Sequence, residues 1–279
     1  MKSISAKNVN EFMEFLVENE KSDNTIEKYM RDIRFFCKWL NGREVNKSVV
    51  LAYKKKLCEK YAPASVNSIL SSLNALFAFK NWHGLKVKTL KIQRRIFADK
   101  EKELTKFEYE RLLMAAKSKG DDRLYYLMQT IGSTGIRISE LKYITVASVN
   151  KGQVTINCKG KIRQVFLPKQ LCAMLKSYIK KKKIISGSVF VTKSGVPLDR
   201  STVWKMMKSL CDSAKVKRSK VFPHNFRHLF AKTFYTLQKD IVRLADILGH
   251  SSVETTRIYT IECGEIHKMQ IQKLGLLQC

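Results

Sequence analysis

The chain is short of acid. Its 279 residues carry 24 Asp plus Glu against 53 Lys plus Arg, a formal charge of +29 at pH 7. A folded chain with that imbalance repels itself until an anion neutralises it. The basic residues spread along the whole length instead of gathering in one tail. That distribution predicts folded basic faces lying against a polyanion, above all nucleic acid. Other absences narrow the class. The cysteines (Cys37, Cys58, Cys158, Cys172, Cys211, Cys263 and Cys279) are odd in number and form no C-x-x-C pair. They read as reduced thiols, against a disulfide framework or a cysteine zinc site. No apolar run approaches the roughly 18–20 residues that cross a bilayer. The opening MKSISAKNVNEF has no apolar signal core. A cytoplasmic protein without membrane contact is expected. There is no internal repeat and no low-complexity segment.

What is present is helical periodicity. DNTIEKYMRDIRFFCKWLNG places Ile26, Met30, Ile33, Phe36, Cys37 and Leu40 on one face. Asn24 with Glu27 predicts its N-cap, and Gly42 its stop. A second stripe, Val66, Ile69, Leu70, Leu73, Leu76 and Phe77, follows Pro63 in a first-turn position. An all-helical domain over 1–83 is predicted. Residues 84–103, dense in Lys and Arg without a helical period, read as a basic linker running beside a ligand's backbone. The second domain, 104–279, opens with Thr105 and Glu108 as a capping box above Leu112, Leu113 and Ala116. A further helix through RLYYLMQTIGSTG ends at glycines. Alternation around Gly160 predicts a hairpin of Gln153–Cys158 and Arg163–Leu167, and SGSVFVTKSGVPL a third short strand. Helices are expected over roughly 201–213, 224–236, 240–248, 252–260 and 265–274. The fold class is mainly α with a small antiparallel β-sheet.

Four stretches hold polar groups able to do chemistry. In TGIRISEL, Arg137 follows a glycine turn and opens a helix, with Glu140 on the same face at i+3. The pair equally fits a surface ion pair beside a capped helix. In CKGKIR, Lys159 and Lys161 stand at a hairpin tip, as a groove-reaching proton donor or as solvated turn lysines. In PHNFRHLF, His224 and Arg227 are i, i+3 neighbours. His224 and His228 are i, i+4, but no carboxylate or cysteine lies near them in sequence, so a metal site is not expected. His228 reads as a local packing residue. In LGHSSVETTRIYT, Gly249 ends a helix, His250 sits at the bend and Ser251 or Ser252 caps a short helix. Tyr259 lies nine residues past His250. If the chain doubles back, Tyr259 meets the helix of His224 and Arg227. Two Arg, one or two Lys, two His and a Tyr, without an Asp-rich cluster, suit phosphoryl chemistry without a metal or other cofactor. The Arg forks bind phosphodiester oxygens, the Tyr attacks and a Lys protonates the leaving oxygen.

These motifs resemble the tyrosine recombinases, or phage integrase family, at compact Xer-type size. TGIRISEL, CKGKIR, HNFR, LGHSS and RIYT stand in the family's order, and NTIEKYMRDIRFFCKWL is similar to its core-binding domain. The resemblance implies a helical core-binding, SAM-like domain and a catalytic domain forming a C-shaped clamp. It implies that Arg137 and Arg227 hold the scissile phosphate, with Lys159 as general acid. It further implies that His224 takes the proton of Tyr259, that His250 bonds the phosphate, that Glu140 supports the site and that Tyr259 is the nucleophile. The hairpin is one residue shorter than the family's frequent GKGNKER, so Lys161 is a rival to Lys159. The resemblance also implies a metal- and ATP-independent 3′-phosphotyrosyl reaction by a tetramer on two double-stranded DNA core sites. The helix around Ile266, Met269 and Leu274 would dock on a neighbouring subunit, and an accessory or directionality factor would assist. Arm-site binding is not expected, because the chain opens directly on the core-binding region. A mobile-element integrase and a chromosome-dimer resolvase fit equally. A non-catalytic DNA-binding regulator of the same fold and a nicking-closing topoisomerase are the competing readings.

Overall fold

The computed structural model describes residues 2–92, 101–158, 161–259 and 272–273. The chain separates into two compact units, Met1–Arg94 and Arg95–Cys279.

Four helices build the first unit: α1 (Ala6–Glu18), α2 (Asp23–Leu40), α3 (Lys47–Lys60) and α4 (Pro63–Phe79). Ser5 and Asn8 close a reciprocal capping box on α1, and Pro63 takes the first-turn position of α4. The predicted cap of α2 is displaced. Ser22, with extended backbone, holds the N-cap position and pairs its hydroxyl with Thr25, so Asn24 falls inside the first turn. The helix stops on Asn41 in the left-handed conformation (φ 47°), one residue before Gly42. The predicted stripes do face the core: Ile33 and Phe36 of α2 and Leu70, Leu73 and Phe77 of α4 are fully buried. Phe36 also packs on Tyr53 of α3, ring centroids 4.9 Å apart.

The start of the segment read as a linker belongs to this unit. After a 3-10 turn over His83–Leu85, Leu85 and Val87 are buried in the helical core. The Asn74 side chain donates to the Val87 carbonyl (2.9 Å) and accepts from its N–H (3.0 Å). Asn67 holds Leu90 in the same way. Two helix-borne asparagines thus stand in for a missing strand partner.

In the second unit, α5 (Lys106–Ser118) carries the predicted Thr105–Glu108 box. Then come α6 (Asp122–Thr134), a 3-10 helix over Ile138–Tyr143 and α7 (Val146–Lys151). The hairpin β1 (Gln153–Cys158) and β2 (Lys161–Phe166) follows, then α8 (Lys169–Lys182), α9 (Arg200–Lys208), α10 (Pro223–Gln238) and α11 (Ile241–Leu248). α12 (Val253–Thr256) runs into a 3-10 turn over Arg257–Tyr259. α6 is central, packed against α5, α8, α9 and α10.

Several expectations change. β2 begins at Lys161, two residues early, because Cys158 pairs with Lys161 and Asn157 with Ile162. The expected third strand makes only isolated bridges, Thr145 with Ser188 and Val191 with Pro197. Its chain reverses at Thr192–Gly195, where Gly195 takes φ 81°, so the apolar run is too short for a ladder. The helix expected over 201–213 stops at Lys208, and that over 252–260 breaks into α12 and the 3-10 turn. The helix expected over 265–274, with Ile266, Met269 and Leu274, lies outside the described residues save 272–273. Among the described residues no helix is long and apolar enough to cross a membrane.

Candidate active site

The site forms where four chain ends meet: the C-terminus of α6, the 3-10 helix after it, the start of α10 and the bend after α11. α6 ends on Gly135 in the left-handed conformation (φ 63°). A Cβ there would also fall 2.4 Å from the Phe230 ring, so only glycine satisfies both backbone and packing. The turn sets Arg137 at the head of the 3-10 helix. Glu140, 5% exposed, accepts the Arg137 amide at Oε2 (2.9 Å) and Arg137 Nη1 at Oε1 (3.0 Å). Arg137 Nη2 donates to the Gly249 carbonyl at 3.1 Å, yet the side chain stays 38% exposed and reachable. Burial alone would push the Glu140 carboxyl up. The Arg137 amide, the Arg163 charge and both guanidinium hydrogen bonds outweigh it and hold Glu140 below the usual carboxylate range.

Pro223 opens α10, and one turn on Arg227 points inward. Among the described residues Arg227 is the largest fully buried side chain. Its Nη1 donates to Gly135 O (2.5 Å), and Nη2 to Leu248 O (2.7 Å) and His250 Nε2 (3.0 Å). Burial and the Arg137 charge lower its pKa to about 10. A guanidinium only donates, so His250 Nε2 is the acceptor and the ring proton sits on Nδ1, facing Thr256 Oγ1 at 2.8 Å. That assigns the neutral tautomer. Burial, then the Arg227, Arg137 and Arg163 charges, push His250 down to about 4.

Gly249 (φ 62°) caps α11, and Ser252 accepts the Glu254 amide to cap α12. The short helix brings Tyr259 back onto α10. Its ring lies 4.7 Å from His228, edge to face, and 6.0 Å from His250, near parallel. Only 3% exposed, it rests in an apolar bed with Ala231, Leu244 and Leu248. His228 is thus a packing residue against Tyr259. Among the described residues no three His, Cys, Asp or Glu side chains could share a metal.

The structure therefore gathers Arg137, Glu140, Arg227, His250 and Tyr259. His224 stands exposed at the start of α10. Although the residue is exposed overall, its ring is partly shielded from water, and that shielding, then the Arg227, Arg137 and Arg200 charges, lower its pKa. Lys159 lies outside the described residues, and for Lys161 only the backbone pairing with Cys158 is described. Sequence reading missed Thr256, the partner of His250, and Arg163. Arg163 stands opposite Ile156 and shares the buried face of the hairpin with Val154 and Val165. A charge on the apolar face of an alternating strand was the available signal. The site holds three guanidiniums, of Arg137, Arg163 and Arg227, and one carboxylate, Glu140, which pairs with the first two. Two positive charges remain over beside neutral imidazoles, an arrangement that binds a small anion.

Known proteins share this arrangement of sequence and fold. The model described as "Phage integrase family" matches residues 102–263, and that described as "Phage integrase, N-terminal SAM-like domain" matches 9–84. Tyrosine recombinase XerA of Pyrococcus furiosus is 30% identical over 289 residues, covering 99% of this chain and 97% of that protein. Tyrosine recombinase XerD of Staphylococcus saprophyticus is 28% identical, covering 95% and 96%. Among solved structures, a lambda integrase dimer bound to a COC′ core site superposes with TM-score 0.74 at 18% identity, covering 93% of this chain and 96% of that one. XerH site-specific recombinase in a post-cleavage complex with palindromic difH substrate gives 0.74 at 18%, covering 96% and 84%. At such identities the two structures speak to the fold alone.

Proposed function

The chain belongs to the phage integrase family and is a site-specific recombinase of the tyrosine type, and from that premise we propose how its residues cut and rejoin DNA. One observation carries the reading. The buried Arg227 fork donates to two carbonyls and an imidazole, and among the described residues no carboxylate joins those hydrogen bonds. A buried guanidinium without a counter-anion is costly. A phosphodiester oxygen would supply the missing charge, next to a tyrosine already in place.

Arg137, oriented by Glu140, and Arg227 then hold the two non-bridging oxygens. The negative charge raises the His250 pKa, and the proton gained lets Nε2 donate to the phosphate. Tyr259 Oη attacks phosphorus as its proton passes to His224. The bond to the 5′-oxygen breaks, and Lys159, or its rival Lys161, protonates that oxygen. A 3′-phosphotyrosyl bond stores the phosphodiester's free energy. The 5′-hydroxyl of a second duplex attacks phosphorus and gives its proton back to the lysine, while the bond to Tyr259 breaks and His224 returns the proton to the tyrosine oxygen. No ATP enters and no metal is required, because the guanidiniums supply the charge stabilisation. We place the enzyme on double-stranded core sites as a tetramer spanning two duplexes. A lambda integrase tetramer bound to a Holliday junction, a structure of similar fold, supports that assembly.

The test begins with a library of nicked duplexes, from which covalently trapped DNA is sequenced. Two duplexes carrying the recovered site are then mixed with enzyme in EDTA. Recombinant joints are expected. Relaxation of one duplex without joints, or a requirement for added Mg²⁺, would overturn the reading. A 5′-bridging phosphorothiolate, whose leaving group needs no acid, should rescue Lys159→Ala and not Lys161→Ala if Lys159 is the acid.

A further inference from the structure

We propose that Arg163 is a positioning residue that locks the two halves of the phosphate clamp to each other. The inference rests on the recombinase reading above. Arg163 Nη2 donates to Glu140 Oε2, and Nη1 donates to the Ile247 carbonyl at 2.6 Å. Glu140 spends its remaining bonds on Arg137, and Arg137 reaches on to the Gly249 carbonyl. Ile247 lies two residues before Gly249 and three before His250. The contacts therefore close a ring: Arg163 to Glu140, Glu140 to Arg137, Arg137 to Gly249, and the α11 terminus back to Arg163. Among the described residues, loss of Arg163 would leave the half-exposed Arg137 as the one link between Glu140 and the LGH bend.

Two further details point the same way. A Cβ on Gly249 would fall 2.3 Å from Arg163 Cδ. Glycine at 249 thus serves the left-handed cap and also vacates the channel through which the Arg163 stem passes. Arg163 Nε is buried with no hydrogen-bond partner among the described residues. Such a donor costs free energy, so the side chain is placed for its two Nη groups. Lysine, a single point donor, cannot reproduce a planar fork spanning two acceptors on separate elements. Arg163 is also four residues past Lys159 in sequence. Its two contacts pin β2 to Glu140 and to the end of α11.

The test compares Arg163→Lys, Arg163→Gln, Glu140→Gln and the double variant Arg163→Lys with Glu140→Gln. Single-turnover adduct formation on a nicked trapped-site duplex is read at saturating protein, beside DNA affinity and the thermal midpoint. Misplacing a catalytic group by about 1 Å can cost on the order of 100-fold. Arg163→Lys is expected to lose roughly that factor in the cleavage rate constant, with affinity and midpoint near wild type. Because Arg163 acts through Glu140, it should cost far less on the Glu140→Gln background. Cleavage by Arg163→Lys at the wild-type rate, losses that multiply in the double variant, or a rate loss matched by lost folding and DNA affinity would each overturn the proposal. If Arg163→Gln does not fold, Arg163→Lys, which keeps the charge, carries the test. No adduct from the wild type would sink the recombinase reading, and this proposal with it. A wild-type adduct with an undiminished Arg163→Lys rate would overturn this proposal alone.

Discussion

The two units bury different things. In the first, the buried polar side chains among the described residues are Asp32 and Ser72, and they satisfy each other. Lys28 closes the group, 3.0 Å from Asp32 and 2.9 Å from the Ser72 hydroxyl. The other buried side chains of that core are apolar. The second unit buries Glu140, Arg227, Asn225, Lys208 and Lys220 as well. Some of these are settled in kind: Lys220 meets Glu108 at 2.9 Å. Arg227 is not, since among the described residues its hydrogen bonds go to carbonyls and His250. Lys208, likewise without an acid partner among the described residues, donates to the Arg218 carbonyl and lies over the Trp204 ring, whereas Arg227 sits beside His250.

The sharpest way to break this contrast is Arg227→Ala. Removing one preorganised donor from a reacting phosphate or acyl group costs about 10²–10³ in rate, and this change removes two. Adduct formation on a trapped-site duplex should fall by at least about 10³-fold. A loss under tenfold would show that the buried charge is only structural. The counterpart in the first unit is Phe36→Ala, which empties a fully buried ring site. It should cost about 3–5 kcal/mol, read by urea unfolding, with the cleavage rate of still-folded protein unchanged.

A smaller effect separates geometry from charge. Gly249→Ala forces a Cβ onto a φ of 62° and against Arg163. Left-handed strain on a non-glycine residue costs on the order of 1–2 kcal/mol, and the lost clamp geometry lowers the cleavage rate as well. Calorimetry and single-turnover cleavage should show a modest fall in midpoint beside a larger fall in rate. A fall in midpoint alone would deny the bend a catalytic part. The smallest effect is in pH. His250 titrates near 4 in the folded protein against an ordinary 6.5, so the unfolded chain takes up that proton first as pH falls. Its contribution to stability is therefore full above about pH 6.5 and declines between 6.5 and 4. His224 and His228 are displaced in the same direction. Imidazole resonances followed by NMR should show His250 titrating well below 6; a midpoint near 6.5 would contradict its burial against Arg227.

Much of this was legible because the relevant signals are local. The stripes of α2 and α4, the Thr105–Glu108 box and the glycine stops at 135 and 249 each sit within a few residues. Order and spacing pointed to Arg137, His224, Arg227, His250 and Tyr259 for the same reason. What escaped depends on partners distant in sequence. Arg163 gains meaning only beside Glu140 and Ile247, 23 and 84 residues away. The third strand failed because strand formation needs a neighbour, and the Gly195 turn removed it. Ser22 outcompeted Asn24 through a contact with Thr25 that composition does not show. Residues 84–92 looked like a linker because asparagine side chains of α4, not a periodic pattern, hold them down.

Every step of the proposed chemistry depends on Tyr259 as the covalent nucleophile. The direct measurement is mass spectrometry of the digested protein–DNA adduct, with Tyr259→Phe alongside. We expect nucleotide mass on the peptide that follows Arg257, joined to Tyr259 through a 3′-phosphate, and no adduct from Tyr259→Phe. DNA attached to any other residue, or an adduct that survives Tyr259→Phe, would contradict it.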